Sequence, residues 1–327
     1  MADTPRAVVA GTVSLDLVTS RADATTARAA VGNSGANIAV RLAAAGFDVS
    51  FVCLIGDDRH GELVLADLER WGVATDGVVV RPGYATPVVY QVTAGDGSGA
   101  ESLSSSCPRC SRPRGHLLEL PTPDEIPAVV WERASRADAV VTDIAGGSGT
   151  RLLEHARDIA WYEASLREAT SADMTQTALV ANVVKVSDED ADFYADALGC
   201  DAGPAAAPGR RWDVVTCGAE GVNWRLRGES WQHVPAVAGV EAVDTIGAGD
   251  AFTAGVLREL VASGGIEDAA RGTPAANEVM ELALRAGGES AARACEAIGA
   301  RGDMSTPGGG DAWIANDAPF ACGRCDR

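Results

Sequence analysis

Residues 6–13, RAVVAGTV, are a short apolar run rich in β-branched side chains, which predicts a buried strand. NSGANIAVRLAAAG, residues 33–46, carries helical periodicity and is stopped by Gly46. VSFVCLIG, residues 49–56, predicts a second buried strand, and a helix follows from about Asp58 to Trp71. Strands that are apolar throughout, alternating with helices, predict a parallel sheet covered on both faces. The pattern then changes. Between residues 77 and 106, VVVRP and TPVVYQVTA are broken by GDGSG, which predicts a small antiparallel hairpin set beside the main sheet. CPRCSRPRGHLLELPTP, residues 107–123, is a connector. Alternation resumes with the strand ADAVVTDI, a helix from Gly149 to about Ala160, and ALVANVVKV. A Pro/Gly-rich gap at 202–211 precedes the strand WDVVTCG and the strand-like segments VNWRLRG, SWQHVPA and AGVEAV. A helix from the glycines of 247–249 to about Ser263 and another from about Ala275 to Ile298 close the pattern. Residues 305–327 are Gly-rich and without periodicity.

Length and composition fit one α/β core with an appendage: 327 residues, 46% hydrophobic and 22% charged. Aromatics make up only 5%, so Val, Leu, Ile and Ala are expected to fill the core. The formal charge of -19 repels phosphate backbones and anionic lipid, which argues against nucleic-acid and membrane-surface partners. There is no apolar run of about 18 residues, and Met1 to Arg6 lacks the pattern of a signal peptide, so a cytoplasmic protein is expected. Four of the eight cysteines, Cys53, Cys200, Cys217 and Cys295, are isolated and read as small core residues. His60, His116, His155 and His233 have no spacing that suggests a triad or a ligand set.

The strongest chemical signal is Asp244-Thr245-Ile246-Gly247-Ala248-Gly249-Asp250, which follows a strand and opens a helix. Glycines there let backbone N–H groups converge, and the helix N-terminus adds positive potential, which makes an anion site. Asp250 beside that site can accept a proton from a hydroxyl. An ordinary Gly-rich turn with a capping Asp is the competing explanation for the segment alone.

DTIGAGDAFTAGVL resembles the second signature, D-T-x-G-A-G-D, of the ribokinase-like (PfkB-type) carbohydrate kinases. GNSGAN followed by IGDDRHG, within residues 32–61, resembles the first signature of the same family. The resemblance spans residues 6–304. It implies a three-layer α/β/α core in a kinase domain of residues 1–304, with lid elements at about 12–34 and 77–116. It further implies ATP-dependent phosphorylation of a sugar or sugar-like hydroxyl, with Asp250 as base and Gly247, Ala248 and Gly249 as the anion hole. Asp16, Asn37, Gly32 and Asn33 would face the acceptor. Thr216, Gly218, Gly221 and Lys185 would face the nucleotide. Asn182 is open between a nucleotide contact and a buried structural amide. The N-x-x-E motif linked to magnesium appears as Ser187-Asp188-Glu189-Asp190, so Asp190 would order magnesium through water. Asp244 would serve a monovalent cation, but Ile246 replaces a common Thr, which leaves that cation open. Asn33 replaces the second Gly of the first signature. A free sugar is the first expected acceptor and a nucleoside the second. A catalytically silent ligand sensor and a homodimer formed through the lid are further expectations.

Cys107-Pro-Arg-Cys110 and Cys322-Gly-Arg-Cys325 are two Cys-x-x-Cys pairs, the second ending the tail of residues 305–327. Two such knuckles supply four thiolates for a structural zinc ion. Redox pairs and unpaired thiols are the alternatives.

Overall fold

Strand β1 (Arg6–Ala10) alternates its side chains between two cores. Ala7 and Val9 join one apolar cluster while Val8 and Ala10 join another, as the two-residue repeat of a strand requires. The computed structural model describes residues 4–20, 26–93, 100–113, 119–164, 170–198, 211–265 and 275–319.

The small sheet begins at once with β2 (Ser14–Ser20) and β3 (Thr26–Gly32), after which α1 (Ser34–Ala44), β4 (Asp48–Gly56), α2 (Arg59–Arg70) and β5 (Ala74–Arg81) return to the core. Two further small-sheet strands follow, β6 (Val88–Thr93) and β7 (Ala100–Ser104). The core then continues through α3 (Ala128–Ala134), β8 (Ala139–Thr142), α4 (Gly147–Glu154), β9 (Ile159–Ala164), α5 (Ser171–Val180), β10 (Val183–Ser187) and α6 (Asp188–Leu198). Its last elements are β11 (Trp212–Thr216), β12 (Val222–Leu226), β13 (Gln232–Val234), α7 (Ala248–Ala262) and α8 (Ala276–Cys295), and β14 (Ala315–Pro319) ends the described chain.

The large sheet has the order β13-β12-β11-β10-β9-β8-β1-β4-β5. Its strands from β11 to β5 run parallel, and β12 and β13 are antiparallel additions at one edge. Helices α1, α2, α7 and α8 cover one face and α3 to α6 the other, so the expected α/β/α layering is present. Strand order reverses beside β1: the chain first moves to β4 and β5, then returns to β8 on the other side. Such a switch point opens a crevice at the carboxyl ends of the strands. The small sheet, ordered β14-β3-β2-β6-β7, carries its own apolar cluster.

Several expectations are corrected. VVVRP belongs to β5, which pairs parallel with β4 in the large sheet and is not part of the small one. A run of valines fits either sheet, and only its partner decides. The helix expected to about Ala160 stops at Glu154, and Ile159–Ala164 forms a buried central strand instead. AGVEAV forms no strand; the amides of Val243 and Asp244 instead donate to the Cys295 carbonyl. The tail is not wholly irregular, because β14 pairs antiparallel with β3. The core also buries Trp71, Trp161, Trp212 and Trp224 completely. Cys53 is a core residue as expected, but Cys217 and Cys295 are only partly buried, and Cys200 lies outside the described residues.

Candidate active site

A cleft of about 600 Å³ opens at the carboxyl ends of the central strands, between the large and small sheets. Residues from β2, α1, β9, β10 and the start of α7 line it, among them Asp16, Asn37, Glu163, Lys185, Gly249 and Asp250. Asp250, in the first turn of α7, is 7% exposed. Its Oδ2 accepts a hydrogen bond from Asn37 Nδ2 at 2.8 Å, and its Oδ1 has no hydrogen-bond partner among the described residues. Burial pushes the Asp250 carboxyl up to about 6, and the Glu163 charge adds to this; Asn37, Lys185 and Arg41 oppose it.

Asn37 is held at its other end too. Its Oδ1 accepts from Arg301 Nε at 3.0 Å, and Arg301 Nη1 donates to Asp67 Oδ2 at 2.8 Å. This buried relay fixes the Asn37 amide with its nitrogen toward the carboxylate. Arg301 Nη2 stays buried without a partner.

Gly247 caps α7 with φ 78°, and a Cβ there would lie 2.6 Å from Ala300 Cβ, so glycine is required for conformation and for space. A Cβ on Gly249 would lie 2.9 Å from Lys185 Nζ. The Ala248 N–H donates to the Thr245 carbonyl at 3.2 Å and the Ala251 N–H to that of Gly247 at 2.9 Å. Among the described residues, the N–H groups of Gly247, Gly249 and Asp250 meet no acceptor. The Ala248 N–H is thus engaged within the turn.

Lys185, 5% exposed, forms an ion pair with Glu163, 3% exposed. Glu163 Oε2 also accepts from Thr253 Oγ1 at 2.7 Å and Trp161 Nε1 at 3.0 Å. The sequence reading assigns no element between about Ala160 and Ala178 and so passes over Glu163. A glutamate inside the apolar run IAWYEA was the available signal, since a buried charge needs a partner.

On the small-sheet side, half-buried Asp16 is raised to about 6 by burial. Ser14 Oγ donates to its Oδ1 at 2.5 Å, and the Asn33 amide and the Arg301 charge also favour the carboxylate. A Cβ on Gly32 would fall 1.9 Å from Asp16 Oδ2, so this glycine makes room for the carboxylate. Asn33 holds φ 75°, a left-handed conformation unusual for a residue with a side chain. Asp143, unforeseen, follows β8 and binds the amides of Thr12 and Gly35 at 3.0 and 2.9 Å. It ties the end of β1 to the start of α1, and burial raises it to about 7.

The nucleotide-side residues divide. Ser187 and Thr216 are register partners at the carboxyl ends of β10 and β11, and Ser187 lines the cleft. Gly218 and Gly221 follow with φ 51° and 106°. Asp190, in the first turn of α6, accepts from Ser187 Oγ at 3.2 Å. Asn182 is a structural amide, not part of the cleft. It precedes β10 at the end remote from Ser187, with Oδ1 accepting from the Ala160 N–H at 2.9 Å and Nδ2 donating to the Asp158 carbonyl at 2.7 Å. Five extended residues put it roughly 16 Å from the cleft end of the strand. Asp244 accepts from the Ile246 and Gly299 amides and from Gln91 Nε2 of β6 at 3.0, 2.9 and 3.2 Å.

Among the described residues, no group of three or more His, Cys, Asp or Glu is arranged to hold a metal. Cys107 and Cys110 are adjacent to the small sheet, and Cys322 and Cys325 lie outside the described residues, as does His116. No described helix is long and apolar enough to cross a membrane.

Residues 6–306 match the model of the pfkB family carbohydrate kinases. Fructokinase-1 of Zea mays is 27% identical over 252 residues, covering 71% of this chain and 74% of the maize protein. The structure of a Xylella fastidiosa fructokinase with bound ATP superposes with a TM-score of 0.70 at 23% identity, covering 91% of this chain and 94% of that one. A Burkholderia thailandensis nucleoside kinase in complex with inosine gives a TM-score of 0.65 at 18% identity, over 93% and 95% of the two chains.

Proposed function

Because the chain belongs to the pfkB family of carbohydrate kinases, we propose that it moves the γ-phosphoryl group of ATP to a hydroxyl of a free sugar, with Asp250 as general base. The observation that carries this reading is the placement of Asp250 beside the unpartnered amides of Gly247 and Gly249 on the wall of the cleft. Asn37 holds one carboxylate oxygen, and Oδ1 takes the proton as the acceptor oxygen attacks phosphorus. A carboxyl raised to about 6 is ionised at neutral pH yet basic enough to share a proton in the transition state.

The transferring group carries charge on its outer oxygens, so preorganised donors do most of the remaining work. The amides of Gly247, Gly249 and Asp250 supply them, and the Lys185 ammonium beside Gly249 adds a positive charge. Kinases of this family use ATP with magnesium. The carboxylates of Asp188, Glu189 and Asp190, just after Ser187, are hard oxygen donors of the kind that ion takes, and Asp190 would hold it through water. When bound, magnesium neutralises phosphate charge. Thr216, Gly218 and Gly221 flank the nucleotide, and Asp16 accepts hydrogen bonds from acceptor hydroxyls across the cleft.

Fructose is the first acceptor to test, since similar curated proteins are named fructokinases. ATP turnover should be measured with fructose, other ketoses and aldoses, ribose, and a set of nucleosides. Sugar-dependent ADP release that Asp250→Asn abolishes supports the proposal. Release only with nucleosides would replace the acceptor, and no acceptor-dependent release in the whole panel would overturn the kinase assignment in favour of a ligand sensor.

A further inference from the structure

We propose that Arg41, Arg258 and Arg293 form an anion site, separate from the catalytic cleft, that takes free phosphate or the phosphoryl group of a small metabolite. A second cavity, of about 180 Å³, lies between α1, α7 and α8, and no residue lines both it and the cleft. Small residues of α1 and α7, among them Ala45 and Gly255, leave the space. A Cβ on Gly255 would lie 2.5 Å from Ser290 Oγ, so glycine there lets α7 and α8 approach closely. One arginine reaches the cavity from each helix: Arg41 from α1, Arg258 from α7 and Arg293 from α8.

The charge balance of this cavity is the reverse of the molecule's. The chain has 46 acidic residues against 27 Lys and Arg, yet the ionisable groups lining the cavity are three arginines and a single carboxylate, Asp303. That carboxylate is already committed, because its two oxygens accept from Arg41 at 2.7 and 3.2 Å. Among the described residues, Arg258 and Arg293 have no ion-pair partner. Arg293 Nη2 donates to Ser290 Oγ at 3.1 Å, which holds its guanidinium beside the cavity. The second observation is Arg41 itself. It is 9% exposed, and its Nε is buried with no acceptor among the described residues. Such an orphaned donor is uncommon in a native protein and fits a site built for an acceptor that the chain does not itself supply.

Guanidinium forks match the oxygens of a phosphate, and converging arginines are a recurring way to hold one. The volume is below the roughly 300–1,000 Å³ of pockets for drug-sized ligands, which suits one phosphoryl group rather than a whole nucleotide. Ala251 lines this cavity while its neighbour Asp250 lines the cleft, so the first turn of α7 separates the two sites. The assignment does not depend on the kinase reading.

Inorganic phosphate titrated into the full chain at constant ionic strength, followed by calorimetry and by the phosphorus NMR line width, should reveal binding that chloride does not reproduce. Arg258→Gln and Arg293→Gln should each weaken that binding about 10-fold, as loss of a charged hydrogen bond implies, and the double variant should abolish it. Both side chains are exposed, so the variants should fold, and melting curves check that they do. Phosphate held elsewhere, as in the catalytic cleft, would be untouched by these substitutions. Glycerol 3-phosphate titrated in the same way separates the two sources: tighter binding than phosphate assigns the site to a phosphorylated metabolite, and weaker binding assigns it to the free ion. A wild-type chain that binds no phosphate, binding that chloride matches, or binding that survives in full in the double variant would each overturn the proposal.

Discussion

Asn37 and Asp250 lie 213 residues apart and share a 2.8 Å hydrogen bond inside the cleft. Because Arg301 holds the other end of the Asn37 amide, Asn37 fixes the Asp250 carboxylate through a relay anchored at Asp67. In the proposed mechanism this gives Asn37, which also lines the cleft, a role through Asp250 beside the expected acceptor contact.

Replacing Asn37 by Ala removes a hydrogen bond to a charged group, a loss of about 1.5–3 kcal/mol, or roughly 10- to 100-fold. kcat should fall in that range, with a smaller change in acceptor KM. The acid limb of the pH profile should move to higher pH, since the Asn37 hydrogen bond holds the Asp250 carboxyl down. A rise in acceptor KM alone, with an unmoved limb, would return Asn37 to the acceptor.

Asp250→Asn should reduce kcat by about 10²–10⁴-fold. It should also raise Tm at neutral pH. The folded carboxyl titrates at about 6 against 3.8 for an unperturbed one, so between those values the folded state holds more protons. Stability therefore falls as pH rises through this window, and above it the buried charge is a standing cost. The amide removes that cost. Melting curves should show the variant a few degrees more stable at pH 7.5, and the difference should vanish near pH 4.

Gly32→Ala places a methyl group where the Asp16 carboxylate sits, 1.9 Å from Oδ2. Acceptor KM should rise about 10-fold, as expected for disturbing one polar contact, while ATP KM stays within about twofold. Equal effects on both substrates would remove Asp16 from the acceptor side.

Glu163→Gln leaves the Lys185 ammonium buried without its counter-charge. Breaking a buried pair typically costs about 3–5 kcal/mol, so Tm should drop clearly. ATP KM should rise as Lys185 loses its anchor. The acid limb should shift to lower pH, because the Glu163 charge helps raise Asp250. An unchanged pH profile would break the electrostatic link between the two carboxylates.

Asn182→Ala should lower Tm and leave ATP KM unchanged. The amide satisfies the Ala160 N–H and the Asp158 carbonyl, and a buried group left unsatisfied costs about 1–3 kcal/mol. A raised ATP KM in a chain of normal stability would restore Asn182 to the nucleotide site.

Local sequence determined the strands and helices whose periodicity is strong and whose ends are marked, such as β1, α1, β4 and α7. It also marked the D-T-x-G-A-G-D turn, since glycines before a helix carry their backbone consequences with them. It could not place β5 in one sheet or the other, because a valine run looks the same in both and only its partner strand differs. It ran a helix to about Ala160, over the first residues of β9, and assigned no element to the rest of IAWYEA, where Glu163 lies. The Asn37–Asp250 bond, the Arg301–Asp67 anchor and the Glu163–Lys185 pair all join residues that no local rule relates. Those contacts arise where the strand order reverses beside β1 and chain segments far apart in sequence meet at one end of the sheet. Residue type supplied the acid, the amides and the ammonium; the packing of distant elements decided which oxygen of Asp250 is held, which amides remain open and how far each carboxyl is raised.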